Sequence, residues 1–401
     1  MKIRRTGVLF LSLVISAALG GCAGKETVPA QGDAVTQVIS SAAETQTSAE
    51  IDESEPHKAH FLAVGDNLIH DTVYKQALKR GNGMDYDFTY AYANVADRVK
   101  AADISVINQE TLICGGDYEP SSYPYFNSPP ELGDHMLYIG FDVFTIANNH
   151  VLDKGEDGLR ACLDYWDDRP EAVVAGVYRG KSDKRDIRTF EANGIVFSIL
   201  AYTENLNGMS LPENSPFIIG NAYDFDGIAE DIKRAKQISD MCVVALHWGV
   251  ENSPNISQTQ LDVSQRFADA GADIIIGNHP HVLRDVRMID RKDGGKTLCA
   301  YSLGNFISAQ EIARNLIGGV LEFDVSGCRK DGYDIENVRL TPVITHFEDD
   351  FNGIRLYLYG QYSDELAAKH WINCKTKFDM EYIDQTAKAA VDEKYLYLGR
   401  E

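Results

Sequence analysis

The chain has 401 residues, 44% of them hydrophobic and 10% aromatic, enough for one large or two ordinary domains with a sizeable core. Its formal net charge is -22. Such an excess of acid excludes the broad basic face that nucleic acid or an anionic membrane surface requires, because phosphate binding needs clustered Lys and Arg.

In chain order, Lys2, Arg4 and Arg5 precede the apolar run GVLFLSLVISAAL (7–19). That run is too short for a comfortable membrane span and reads as the centre of a secretory signal. It ends in Leu19-Gly20-Gly21-Cys22, which resembles a bacterial lipobox. The resemblance implies a signal peptide over 1–21, cleavage before Cys22, and lipid on that cysteine. Residues 23–56 are rich in Ala, Ser, Thr, Gln, Glu and Gly and read as a disordered tether.

From residue 60, apolar runs alternate with helical periodicity. HFLAVG (60–65) predicts a strand, FTYAYANVADRVKAA (88–102) a helix, DISVIN (103–108) a strand, PPELGDHMLYIG (129–140) a short helix opened by proline, and FDVFTIAN (141–148) a strand. A helix over 157–168, strands over 171–176 and 195–203, a helix over 225–239 and a strand over 241–248 follow. SQTQLDVSQRFADAG (257–271) predicts a helix ended by glycine, and ADIIIGN (272–278) another strand. The last strands are expected at 285–290, 297–306, 318–325 and 336–347, with DGG (293–295) as a hairpin turn. The pattern implies an α/β core of mainly buried strands in one domain over 57–360, with a polar helical extension over 361–401 that packs on it or frays. Of the cysteines other than Cys22, Cys162, Cys242 and Cys299 lie in apolar stretches and read as core. Cys114 reads as structural, and no CxxC is present.

In open α/β folds the ligand site lies beyond the carboxyl ends of the strands, so the residues that follow each apolar run are the informative ones. They are Asp66, Asn67 and His70; Asn108, Gln109 and Glu110; Asn148, Asn149, His150 and Asp153; His247 and Glu251; His279 and His281; and Asn305. Singly, each is an ordinary turn former or surface residue. Together, imidazole, carboxylate and amide oxygen suit a hydrolytic metal centre of the Mn, Fe or Zn kind. Pro280 predicts an extended backbone at His279, which would put both rings of the H-x-H pair on one side.

The strings VGDNLIH, INQET, FNSPPEL, GFDVFTIANNHVLDKGEDGL, ALHWGVE, GADIIIGNHPHV and YSLGNF, spread over roughly residues 60–308, resemble the poly-γ-glutamate capsule biosynthesis (CapA) family. That family in turn resembles the calcineurin-like metallophosphoesterases. The resemblance implies a four-layer α-β-β-α sandwich, two facing mixed sheets flanked by helices. It implies one or two metal ions, one on Asp66, Glu110 and His281, the other on Glu110, Asn149, His247 and His279. His150 would be the proton donor, with Asp153 orienting it; Asn108, His70, Glu251 and Asn305 are further candidates. Leu68 stands where the phosphoesterase pattern has a histidine, and N-Q-E-T replaces its second aspartate motif, which puts one metal position in doubt. The family role implied is synthesis or export of an anionic γ-glutamyl polymer at the outer face of the cell membrane, beside membrane-embedded synthase or export components. A metal-dependent envelope hydrolase and a non-catalytic scaffold are the alternatives. Arg284, Arg287 and Arg314 are candidate contacts to polymer carboxylates, more simply read as solvated surface.

Overall fold

The computed structural model describes residues 52–399; the expected signal, the expected lipidation site Cys22 and nearly all of the expected tether lie outside the described residues. The strands are, in chain order, β1 (His57–Asn67), β2 (Ile104–Asn108), β3 (Val143–Thr145), β4 (Val173–Ala175), β5 (Val177–Tyr178), β6 (Arg188–Ala192), β7 (Ile195–Thr203) and β8 (Ile218–Ile219). They continue as β9 (Met241–His247), β10 (Ile274–Asn278), β11 (Val286–Asp290), β12 (Lys296–Ala300), β13 (Asn305–Ile307), β14 (Ile317–Cys328), β15 (Gly332–His346) and β16 (Arg355–Leu358). One mixed sheet runs β16-β15-β14-β1-β2-β3-β4, with β13 paired to the end of β1. The second runs β11-β12-β10-β9-β7-β6, and β5 pairs with β8.

Alternation on β9 shows how the layers form. Met241, Val243 and Ala245 join the core cluster shared with the first sheet, while Cys242, Val244 and Leu246 face a second cluster built with Ile228, Ile232, Val263 and Phe267. Those last four lie on the helices Phe225–Ala235 and Gln258–Ala270. Phe61 on β1 meets Phe197 on β7 across the sheets at 6.0 Å. On the first sheet, Phe144 on β3 packs at 4.4 Å against Trp166 of the helix Gly155–Asp167. The result is the four-layer sandwich that the family resemblance implies. The helix Gln258–Ala270 has a full capping box, Ser257 with Gln260, and ends at Gly271 in the left-handed region (φ 110°).

Two expected elements are divided, and the helix Asp71–Arg80 and the edge strands β6 and β16 were not expected. The helix expected over 88–102 is two short ones, Thr89–Tyr92 and Ala96–Ala101. The strand expected over 297–306 is divided between sheets. β12 ends at Ala300 in the second sheet, Gly304 turns the chain at φ 65°, and β13 pairs in parallel with β1 in the first. Gly65 on β1 admits this crossing, because a Cβ there would meet the Gly304 carbonyl oxygen at 1.8 Å. The C-terminal segment packs: Ala367, Ile372, Phe378, Ile383 and Val391 are buried in the main cluster.

β1, β2 and β3 are mutually parallel, as are β7, β9 and β10. The register sets Asp66 beside Asn108, Asn108 beside Thr145, His247 beside Asn278, and Asp66 beside Asn305. The carboxyl ends of the two sheets meet where the His279 N–H, just beyond β10, donates to Asp66 at the end of β1.

Candidate metal centre

His247 continues the inward-facing series Met241, Val243, Ala245 on β9, so strand alternation aims its ring between the sheets. Its Nε2 lies 2.8 Å from Asn149 Oδ1, 3.1 Å from His279 Nδ1 and 3.6 Å from Glu110 Oε1. On the other side, His281 Nδ1 lies 2.9 Å from Asn305 Oδ1, 3.2 Å from Asp66 Oδ2 and 3.8 Å from Glu110 Oε2. The Asn108 amide donates to Asp66 Oδ1 at 2.7 Å and accepts from the Thr145 hydroxyl at 3.2 Å, so Asn108 braces Asp66. All of these residues are buried.

Among the described residues, three groups of ligand-type side chains bring their atoms within 4.8 Å of one another: Glu110 with His247 and His279, Asp66 with Glu110 and His281, and Glu251 with His279 and His281. Glu110 belongs to the first two. Both of its carboxylate oxygens are buried with no hydrogen-bond partner among the described residues. Buried carboxylates are almost always paired, because an orphaned one costs several kcal/mol. A carboxylate left bare between two histidine groups fits a cation that completes it.

The electrostatics agree. Burial, then the Asp66 charge, pushes Glu110 well above the usual carboxylate range. Burial, reinforced by neighbouring histidines, holds His247 well below its ordinary value and His279 at about 3. Both rings are therefore neutral and ligand-competent at physiological pH. Burial also opposes charge on His281, but Glu110 and Asp66 outweigh it and hold the ring at about 9. A metal ion bound there would displace the His281 proton.

Beside this centre, Asp153 Oδ2 accepts from the Phe126 backbone N–H at 2.6 Å and lies 2.7 Å from His150 Nδ1. The Phe126 ring meets the His150 ring edge-on at 4.8 Å. Asn148 turns the strand exit: its Oδ1 accepts from the His150 N–H and its amide donates to the Gln109 carbonyl.

His279 and His281 are not extended. They have φ of 94° and 58°, values that non-glycine residues rarely adopt. The physical reason is the sharp exit from β10, which turns the His279 N–H toward Asp66 Oδ2 at 3.2 Å. The two rings nonetheless face one site, 6.0 Å apart. His70 is in none of the three groups. Its Nδ1 accepts from the Ala309 N–H, and burial takes it down to about 4. Buried Leu68 leaves the missing phosphoesterase histidine unreplaced. Arg284 is not surface: it is 1% exposed, and its guanidinium donates to the Val250 and Ser253 carbonyls and to Gln260 Oε1. Arg287, paired with Asp285, and exposed Arg314 line a separate cavity of about 860 Å³ against the helix Met380–Ala390.

Sequence reasoning missed Asn207, whose Oδ1 accepts from the Asn149 amide at 3.1 Å and whose own amide lies 3.4 Å from His150 Nδ1. It sits in a long loop with no periodic signal. The role of the Phe126 amide was equally invisible, although FNSPPEL begins with that residue.

The family model described as "Bacterial capsule synthesis protein PGA_cap" matches residues 60–310, more than half of the chain and every candidate metal ligand named above. The chain belongs to this family. It is 31% identical over 211 residues to the PGA biosynthesis protein CapA of Bacillus subtilis (strain 168), covering 52% of each chain. It is 26% identical over 288 residues to the capsule biosynthesis protein CapA of Bacillus anthracis, covering 70% of this chain and 67% of that one. The chain thus spans about half the length of the first of these relatives and two thirds of the second. Among solved structures, the NAD nucleotidase of Haemophilus influenzae superposes with a TM-score of 0.42 and 12% identity, over 86% of this chain and 57% of that one. So weak a likeness carries no argument about activity.

Proposed function

We propose that this protein handles an anionic γ-glutamyl polymer during capsule synthesis or export, through a metal centre of one or two Mn, Fe or Zn ions. The observation that carries the metal centre is Glu110, whose bare buried oxygens lie between His247 and His281. Asp66, Glu110 and His281 would hold one ion; Glu110, Asn149, His247 and His279 would hold the other. When bound, such ions supply Lewis-acid polarisation and a nucleophile at neutral pH. Membership of the capsule-synthesis family and the similarity to two capsule biosynthesis proteins support the polymer. The pattern over residues 1–22 supports a lipid anchor that places the domain on the outer face of the membrane beside synthase or export components.

A second reading, a metal-dependent hydrolase of the cell envelope, is favoured by the His150–Asp153 pair. Asp153 Oδ2, fixed by the Phe126 N–H, orients an imidazole that can give a proton to a leaving oxygen. Elemental analysis of the purified protein tests the centre. Stoichiometric metal that disappears in a His279→Ala, His281→Ala variant is expected, and a protein that takes up no metal in any buffer sinks it. Hydrolysis of γ-glutamyl polymer or a phosphodiester that is lost in His150→Ala, with metal retained, selects the second reading.

A further inference from the structure

The third ligand-type group, Glu251 with His279 and His281, is unlike the other two. Its histidines already serve the buried groups, while Glu251 is exposed at the tip of the loop that follows β9. A neutral imidazole offers one lone pair and one N–H, so a ring that gives one nitrogen to an inner ion presents an N–H at the other. Histidines that ligate metals usually donate that N–H to a carboxylate, which fixes the ring and raises its basicity.

The loop is built to hold Glu251 in place. The Gly249 N–H donates to Glu204 Oε2 at 2.7 Å. Gly249 itself has φ 95°, and a Cβ there would meet Arg284 Nη1 at 2.7 Å. Arg284 ties the loop from beneath: its Nη2 donates to the Val250 carbonyl at 3.1 Å and the Ser253 carbonyl at 2.8 Å, either side of Glu251. The Asn252 N–H donates to the Pro280 carbonyl at 2.9 Å, joining the loop to the residue between the two histidines. Amid these anchors the Glu251 carboxylate makes no hydrogen bond or ion pair among the described residues. The loop so braced carries the exposed Glu251 side chain at the edge of the histidine pair.

We propose that Glu251 is a positioning residue for the metal centre, a carboxylate whose oxygen lies within 4.8 Å of a ring nitrogen of both His279 and His281 and which orients the two rings when an ion is bound, and that Arg284 acts through it by clamping the loop. This rests on the metal reading above. The probe is Mn²⁺ or Zn²⁺ alone, titrated into the whole purified chain against a chromophoric chelator, with stoichiometry read by elemental analysis. Glu251→Gln keeps the shape and removes the charge. It is expected to weaken metal affinity about 10–100-fold at unchanged stoichiometry, while leaving the melting temperature in chelator where it was, since the residue is exposed and unbonded. Glu251→Asp is expected to recover part of the loss. Arg284→Lys, combined with Glu251→Gln, is expected to weaken affinity no further than the stronger single variant. Unchanged affinity in Glu251→Gln overturns the proposal. So does the loss of one ion per chain, which would make Glu251 a ligand instead of an orienter. If the parent protein binds no ion, the metal centre itself fails; if the parent binds and the Glu251 variant does not differ, only this inference fails.

Discussion

Glu110 shows most sharply what a single residue does here. Its carboxylate is buried, has no hydrogen-bond partner among the described residues, and is pushed toward the protonated form by burial and by Asp66. Replacing it with an uncharged isostere removes a group that the metal-free fold accommodates poorly. Glu110→Gln is therefore expected to melt at or above the parent's temperature in chelator, and to lose the rise that saturating Mn²⁺ or Zn²⁺ gives the parent. Calorimetry with and without metal checks both halves; a large fall in chelator would mean that Glu110 is a structural residue. INQET could be read as a carboxylate at a strand end, but its lack of partners could not, because that depends on His247 and His281, more than a hundred residues away.

At the scale of elements, the strands carry both the core and a charged brace. Phe61 on β1 lies between Phe197 on β7 and Phe323 on β14, at 6.0 and 4.7 Å. Phe61→Ala would leave a cavity where the two sheets meet, and a loss of about 3–5 kcal/mol in denaturant unfolding is expected. On the same strand, His60 faces Glu322 and Asp324 of β14, and Glu322 also binds Arg98 of the helix Ala96–Ala101 and Arg339 of β15. Burial raises Glu322, but His60 and Arg98 outweigh it and bring the group from 4.5 to about 2. A depressed carboxylate contributes stability above its unfolded value and loses it as pH falls toward its folded one. Acid unfolding is thus expected to steepen between pH 4.5 and about 2, and Glu322→Gln, followed by circular dichroism, should flatten that limb. Most strands and their order of appearance were legible from apolar runs, and the hairpin at 293–295 from its glycines; the edge strands β6 and β16 and the short β5 and β8 were not. The break inside 297–306 was not, because one apolar run can serve two sheets when a glycine turns it.

On the scale of the whole molecule, a net charge of -22 sets a background field that repels any polyanion approaching from solution. A narrow metal site can still hold a carboxylate at close range. The two effects predict an unusual salt dependence. Binding of a γ-glutamyl polymer to the metal-loaded protein should strengthen from roughly 0.02 to 0.2 M salt as the long-range repulsion is screened. Fluorescence anisotropy with a labelled polymer measures it, and binding that weakens with salt would point to a basic groove instead of a metal contact.

The sequence by itself determined the residue types at the strand ends, the α/β alternation and the family, because these are local patterns: apolar period, turn chemistry and short motifs. Only the tertiary structure decided how they combine. It placed Glu110 between two histidine groups, turned His279 and His281 into left-handed backbone where Pro280 predicted extension, and buried Arg284 beneath the Glu251 loop. It also brought Asn207 and the Phe126 amide to the His150–Asp153 pair. Each of these depends on which strand ends meet across the sandwich, and that is fixed by the packing of two sheets, not by any stretch of neighbouring residues.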